Sequence, residues 1–172
     1  MIVLIALGAN LPGPDLTDPQ ATCLAALTAL CELPDLRLQS VSRWYRTAPL
    51  PRALDQPDFC NGVVLMEGDP DPVSLLAALH EIERRFGRCR TIANAPRPLD
   101  LDLIAIDQQI RTMAPILPHP RAHLRRFVLD PLCDIAPDWV HPLLGDTATA
   151  LRARLIATDP QRIALWGNRQ ER

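Results

Sequence analysis

Two Asp-Pro dipeptides set the frame of this chain. Asp18-Pro19 and Asp71-Pro72 each place a capping carboxylate before a proline whose fixed φ suits a first helical turn. The first opens an Ala/Leu-rich stretch that predicts a helix to about Cys31, and the second predicts one to Phe86, stopped by Gly87 at C′. Around them lie β-type runs at Ile2–Leu7, Leu36–Thr47, Phe59–Glu67 (closed by Gly68) and Leu99–Ile106. The order β-α-β-β-α-β is that of the split βαβ arrangement. The expected fold is therefore α+β, a ferredoxin-like βαββαβ core with helices packed on a mainly antiparallel sheet. A C-terminal extension follows, punctuated by proline, with helical pieces near Ala122–Leu132 and Thr147–Ile156. One domain is expected over 1–172, its core reaching to about 145 and a helix and tail filling 146–172.

Charge and composition exclude several functions. The net charge of −2 lacks the basic excess that nucleic-acid binding requires. No apolar run approaches the roughly 20 residues needed to span a bilayer. The opening Met1-Ile-Val-Leu-Ile-Ala-Leu-Gly8 has no basic n-region and reads as a strand, so a cytoplasmic protein is expected. All 18 basic residues are arginine. Without lysine there is no P-loop chemistry and no Schiff base, and an anionic substrate must be held by arginine forks and backbone amides. The five cysteines show no CxxC spacing, which argues against structural zinc, and Cys23 and Cys31 read as small core residues of the first helix.

The sharpest local feature is Pro96-Arg97-Pro98-Leu99-Asp100-Leu101-Asp102-Leu103. Residues two apart on a strand share a face, so Asp100 and Asp102 project together while the leucines enter the core. Such carboxylates, about 7 Å apart at the backbone, can hold hard divalent cations; the alternative is an ordinary amphipathic strand with a solvated acidic face. Arg88, Arg90 and Arg97 lie just upstream, the layout expected for a nucleoside triphosphate and its Mg²⁺. A second basic cluster, Pro118-His119-Pro120-Arg121 with Arg125 and Arg126, offers His119 either to a phosphate or to a structural role. Asp55-Gln-Pro-Asp-Phe-Cys-Asn61 places an aromatic and an amide at a loop-to-strand junction, suited to stacking a flat heterocycle and reading its edge. Phe59 and Phe127 are the stacking candidates, with core packing as the alternative.

Taken in order, Ala6-Leu-Gly-Ala-Asn-Leu11, Tyr45-Arg-Thr-Ala-Pro49, Asp55–Asn61, Ala95-Pro-Arg-Pro-Leu-Asp-Leu-Asp102, and Leu117-Pro-His-Pro-Arg121 with Arg125-Arg-Phe-Val-Leu129 resemble the 6-hydroxymethyl-7,8-dihydropterin pyrophosphokinases of folate biosynthesis. That resemblance implies transfer of pyrophosphate from ATP to the pterin hydroxymethyl group, releasing AMP. It also implies two Mg²⁺ ions on Asp100 and Asp102, and a pterin edge lined by Thr47, Ala48, Leu50 and Asn61, with Phe59 and Phe127 on its faces. Arg88, Arg90, Arg97, His119 and Arg125 would hold ATP phosphates, with Glu83 near the nucleotide; Arg88, Arg97, Asp100 and Asp102 would carry the chemistry. Ala93, Asn94 and Ala95 depart from the family pattern, so the Arg88–Pro98 loop is expected to close less completely over ATP. ATP and the pterin are the expected partners of a monomer. A two-metal nucleotidyltransferase and a non-catalytic nucleotide- or metal-binding ferredoxin-like module are the alternatives.

Overall fold

A computed structural model describes residues 1–49, 56–88, 96–159 and 161–167. The chain forms β1 (Ile2–Ala9), α1 (Pro19–Cys31), β2 (Leu36–Val41), β3 (Tyr45–Thr47), β4 (Phe59–Gly68), α2 (Pro72–Arg85), β5 (Asp100–Ile106), α3 (Arg126–Ile135), α4 (Ala148–Ile156) and β6 (Ile163–Leu165). Both helix caps form as the dipeptides predict: the Asp18 carboxylate accepts from Ala21 N at 2.9 Å and that of Asp71 from Ser74 N at 2.9 Å. Gly87 takes a φ of 85°, the left-handed stop that glycine permits.

Every strand pairing is antiparallel, in the order β5-β1-β4-β3-β6, with β2 also on β4. With β2 and β3 taken as one interrupted strand, β5-β1-β4-β2/β3 is the expected ferredoxin-like sheet. The interruption is a departure from the single run expected over Leu36–Thr47. Its cause is Ser42, whose hydroxyl accepts from Val63 N at 2.9 Å and donates to Arg43 O at 2.8 Å. The hydroxyl thus takes the acceptor place of the Ser42 carbonyl in the ladder, while the Ser42 N–H still donates to Val63 O at 3.0 Å. Trp44 then packs against Gly62, where an added Cβ would meet its ring at 2.6 Å.

Strand β1 is buried on both sides, which is why it is almost wholly apolar. Val3, Ile5 and Leu7 face α1 and α2 with Val64, Met66, Leu101 and Leu103. Leu4 faces the opposite way, with Val63, Ile104 and Ala105, against Val128, Leu129 and Leu132 of α3 and Leu151 of α4. A bulge between β1 and β5 at Leu4/Ile5 resets the alternation, so Ile104 and Ala105 serve one core and Ile106 the other. Asp130 of α3 ties that second layer together, pairing with Arg126 at 3.0 Å and with Arg152 of α4. Cys23 is buried as expected, against Cys60 and Ala9. Cys31 is exposed, contrary to expectation: it is the last residue of α1 and falls on the helix's solvent side. Among the described residues no helix is long and apolar enough to cross a membrane.

Helices α3 and α4 cover only part of their sheet face. The uncovered part carries Gly8, Asn61, Asp100 and Asp102, and there the candidate site lies.

The Gly62 contact is testable. Gly62→Ala should destabilise the protein by about 1–3 kcal/mol through overpacking against Trp44, read as a lower urea midpoint. An unchanged midpoint would mean that Trp44 does not rest on this strand.

Candidate active site

The site is built on the register of three strands. Gly8 of β1 pairs with Asn61 of β4 on one side and with Asp100 of β5 on the other, and Ala6 pairs with Asp102. A Cβ on Gly8 would stand 2.7 Å from Asn61 Oδ1 and 4.0 Å from Asp100 Cβ. The middle strand is thus bare where its neighbours need room, and polar side chains from both flanks converge over it. Leu99, Leu101 and Leu103 are buried on the other face, as the alternation predicts.

Both aspartates are partly buried and ringed by arginine. Arg88 donates to the carboxylates of Asp100 and Glu83, Arg97 pairs with Asp100 at 3.2 Å, and Arg125 with Asp102 at 3.6 Å. Burial, and then the charge of Asp100, push the Asp102 carboxyl above the usual range. Burial lowers His119, which lies within electrostatic reach of Asp102 and Arg125, and burial likewise lowers Arg125. His119 is held by its backbone N–H donating to Ile104 O at 2.8 Å. Its Nδ1 accepts from Arg121 N at 3.2 Å, which leaves the neutral ring's hydrogen on Nε2.

Glu83 is 1 % exposed and belongs to the support of the site. Besides holding Arg88, its carboxylate accepts from Leu101 N at 2.8 Å, capping an amide on the edge strand β5. One buried carboxylate thereby locks α2, β5 and an arginine together.

The second half of the site is aromatic. Phe59 is half-buried, with the Arg97 guanidinium 5.8 Å from its ring centroid. Phe127 is half-buried at the start of α3, with Arg125 at 5.3 Å. Each ring is therefore joined, through its own arginine, to one of the two aspartates. Between strands, Asn61 Nδ2 donates to Thr47 Oγ1 at 2.6 Å; both residues are buried, and Thr47 keeps a hydroxyl hydrogen to donate. Ala48 follows directly on β3.

Other expected residues fall elsewhere. Leu50 and Arg90 lie outside the described residues, as does 89–95 of the basic loop. Arg126 points away, to Asp130 and to Gln161 O at 3.4 Å, and is structural. Asn10 was given no role by sequence reasoning. It is 1 % exposed, accepts from Arg97 N at 2.8 Å and donates to Pro57 O at 3.3 Å. It pins the loop before Phe59 to the segment carrying Arg97. The only sequence signal was its place in the Gly-Ala-Asn turn after β1.

The donor set suits a hard cation. Among the described residues no group of three or more His, Cys, Asp or Glu forms a metal cage. Two carboxylates on one face suit Mg²⁺, which takes few protein oxygens and completes its shell with water and phosphate.

Comparison with known proteins places the whole chain among its relatives. A 2-amino-4-hydroxy-6-hydroxymethyldihydropteridine pyrophosphokinase of Synechocystis sp. is 39% identical over 164 residues, covering 95% of this chain and 78% of the relative. Its counterpart in Pseudomonas aeruginosa is 42% identical over 137 residues, 79% of this chain and 81% of that one. In fold, the chain is similar to a Plasmodium falciparum HPPK-DHPS crystal structure with a TM-score of 0.65 at 15% identity. That match covers 91% of this chain and 44% of the other, so this chain spans less than half of that protein's length. Residues 4–137 match the sequence model of one family, and the chain belongs to it: the 7,8-dihydro-6-hydroxymethylpterin-pyrophosphokinase family.

Proposed function

We infer that this chain carries out the reaction for which its family is named, moving pyrophosphate from ATP to the hydroxymethyl group of 6-hydroxymethyl-7,8-dihydropterin in folate biosynthesis. The observation that carries the site reading is the pairing of each aromatic ring, through its arginine, with one of the two aspartates. A heterocycle seated at Phe59 and Phe127 would hold its hydroxymethyl group beside the carboxylate pair.

In this reading the pterin oxygen forms a bond to the β-phosphorus as the bond from that phosphorus to the α,β-bridging oxygen breaks. AMP leaves, and the hydroxyl proton passes to phosphate or water. Asp100 and Asp102 would hold Mg²⁺, which when bound neutralises developing charge on the phosphate oxygens. Arg97 and Arg125 bring cationic forks to the same oxygens, and His119 donates from Nε2. Arg88 is already engaged by Glu83 and Asp100, so its part is to fix Asp100 and add positive charge beside it. Thr47, Asn61 and the Ala48 backbone read the pterin edge. No strong base is required if the transition state is loose. The reading also takes the protein to be a cytoplasmic monomer.

Product analysis tests the reaction. With ATP, Mg²⁺ and the dihydropterin, AMP and pterin diphosphate should appear in equal amounts; ADP or free pyrophosphate as the stoichiometric product would contradict it.

Asp102→Asn should lower turnover on the order of 100-fold by removing charge where it is most needed. The same change should stabilise the fold at neutral pH. A carboxyl whose folded pKa is raised supports the fold while protonated and loses that support as pH rises through the window above its unfolded value. Once ionised the group carries that penalty, and asparagine removes it. A lower melting temperature together with full activity would refute both parts.

Glu83→Gln keeps an acceptor for Leu101 N but loses the charge that holds Arg88. It should cut kcat by about 10- to 100-fold while pterin affinity stays unchanged in calorimetry. Phe59→Ala should weaken pterin binding by about 1–3 kcal/mol with ATP affinity preserved; equal losses for both ligands would make Phe59 a packing residue.

A further inference from the structure

The C-terminal tail lies beyond the residues that match the family's sequence model, yet it is built into the wall of the candidate pterin site. Strand β6 pairs antiparallel with β3, Ile163 opposite Thr47 and Leu165 opposite Tyr45. Trp166 N donates to Trp44 O at 2.8 Å, and the Arg46 guanidinium covers the Trp166 ring at 4.4 Å. At the other end, Gln161 is 7 % exposed and its Nε2 donates to Ala48 O at 2.8 Å. The backbone of Gln161 is fixed in turn, N–H to Asp159 Oδ1 at 2.8 Å and carbonyl to Arg126 at 3.4 Å.

The amide orientation follows from chemistry. Turned the other way, the Gln161 side-chain oxygen would face the Ala48 carbonyl, two acceptors with no hydrogen between them. In the orientation observed, Oε1 is buried without a hydrogen-bond partner among the described residues. Ala48 N also donates to Arg162 O at 3.4 Å, so the tail holds both polar groups of that residue.

From these contacts we propose that Gln161 is a positioning residue for pterin binding. By holding the Ala48 carbonyl, it fixes the end of β3 that presents Thr47 and Ala48 to the heterocycle. The inference rests on the reading of Thr47, Ala48 and Asn61 as the pterin edge. Among the described residues the Gln161 side chain bonds to Ala48 and not to β5 or Arg125, and only its backbone carbonyl meets Arg126, so the phosphate half of the site should be indifferent to a change of that side chain.

Gln161→Glu tests the role, since it keeps size and acceptors but removes the one donor. Steady-state kinetics should show KM for the dihydropterin raised about tenfold, the worth of one buried hydrogen bond with its repulsive replacement. KM for ATP should stay within about twofold of wild type. Gln161→Ala should show the same split, and both variants should keep the wild-type circular dichroism spectrum. An unchanged pterin KM would overturn the proposal, and so would equal losses for both substrates with a lower melting temperature, which would make Gln161 merely structural. Wild-type protein separates this from the underlying reading. If it fails to bind the pterin in the presence of an ATP analogue, the site reading falls; if it binds and Gln161→Glu binds equally well, only the role of the tail falls.

Discussion

Two carboxylates on one partly buried strand face repel each other, and the rest of the site is arranged around that repulsion. Asp102 feels both burial and Asp100, and its proton affinity rises accordingly. Three arginines answer the charge, and each is secured elsewhere. Arg88 is held by Glu83, Arg97 by the Asn10 clamp on its backbone, and Arg125 through its place at the start of α3 beside Phe127. A centre of this kind is costly to fold and ready for cations and phosphate, the usual trade at functional sites.

The scaffold makes the arrangement possible by leaving side chains out. Gly8 lies in the middle of the sheet with no Cβ, so Asn61 and Asp100 approach over it from either side. In the proposed reading, substrate edge-reading and charge-holding are therefore separated by the width of one strand. Because α3 and α4 cover only one part of that face, the same sheet provides a packed core and, in the proposed reading, a binding surface.

The two Asp-Pro caps and the apolar runs made the element order legible, since those signals are local. The aspartate pair was legible too, because strand alternation places both residues on one face. What escaped was set by distant contacts. Asn10 and Gln161 bond to partners far away in sequence, and a polar residue in a single chain carries no mark of such a partner. The break at Ser42 escaped because a hydroxyl replaced a backbone group in the ladder. Strand β6 escaped because three residues are too few to show periodicity. Cys31 was misread as core because the Ala/Leu-rich α1 is apolar on nearly all sides, so its pattern does not say which face is buried.

The central claim is that Asp100 and Asp102 form a metal–phosphate centre. Counting bound Mn²⁺ by electron paramagnetic resonance, with a non-hydrolysable ATP analogue and the pterin present, tests it most directly. The account predicts two ions per chain in the wild type and loss of that stoichiometry in Asp100→Asn. Two ions retained in Asp100→Asn would contradict it.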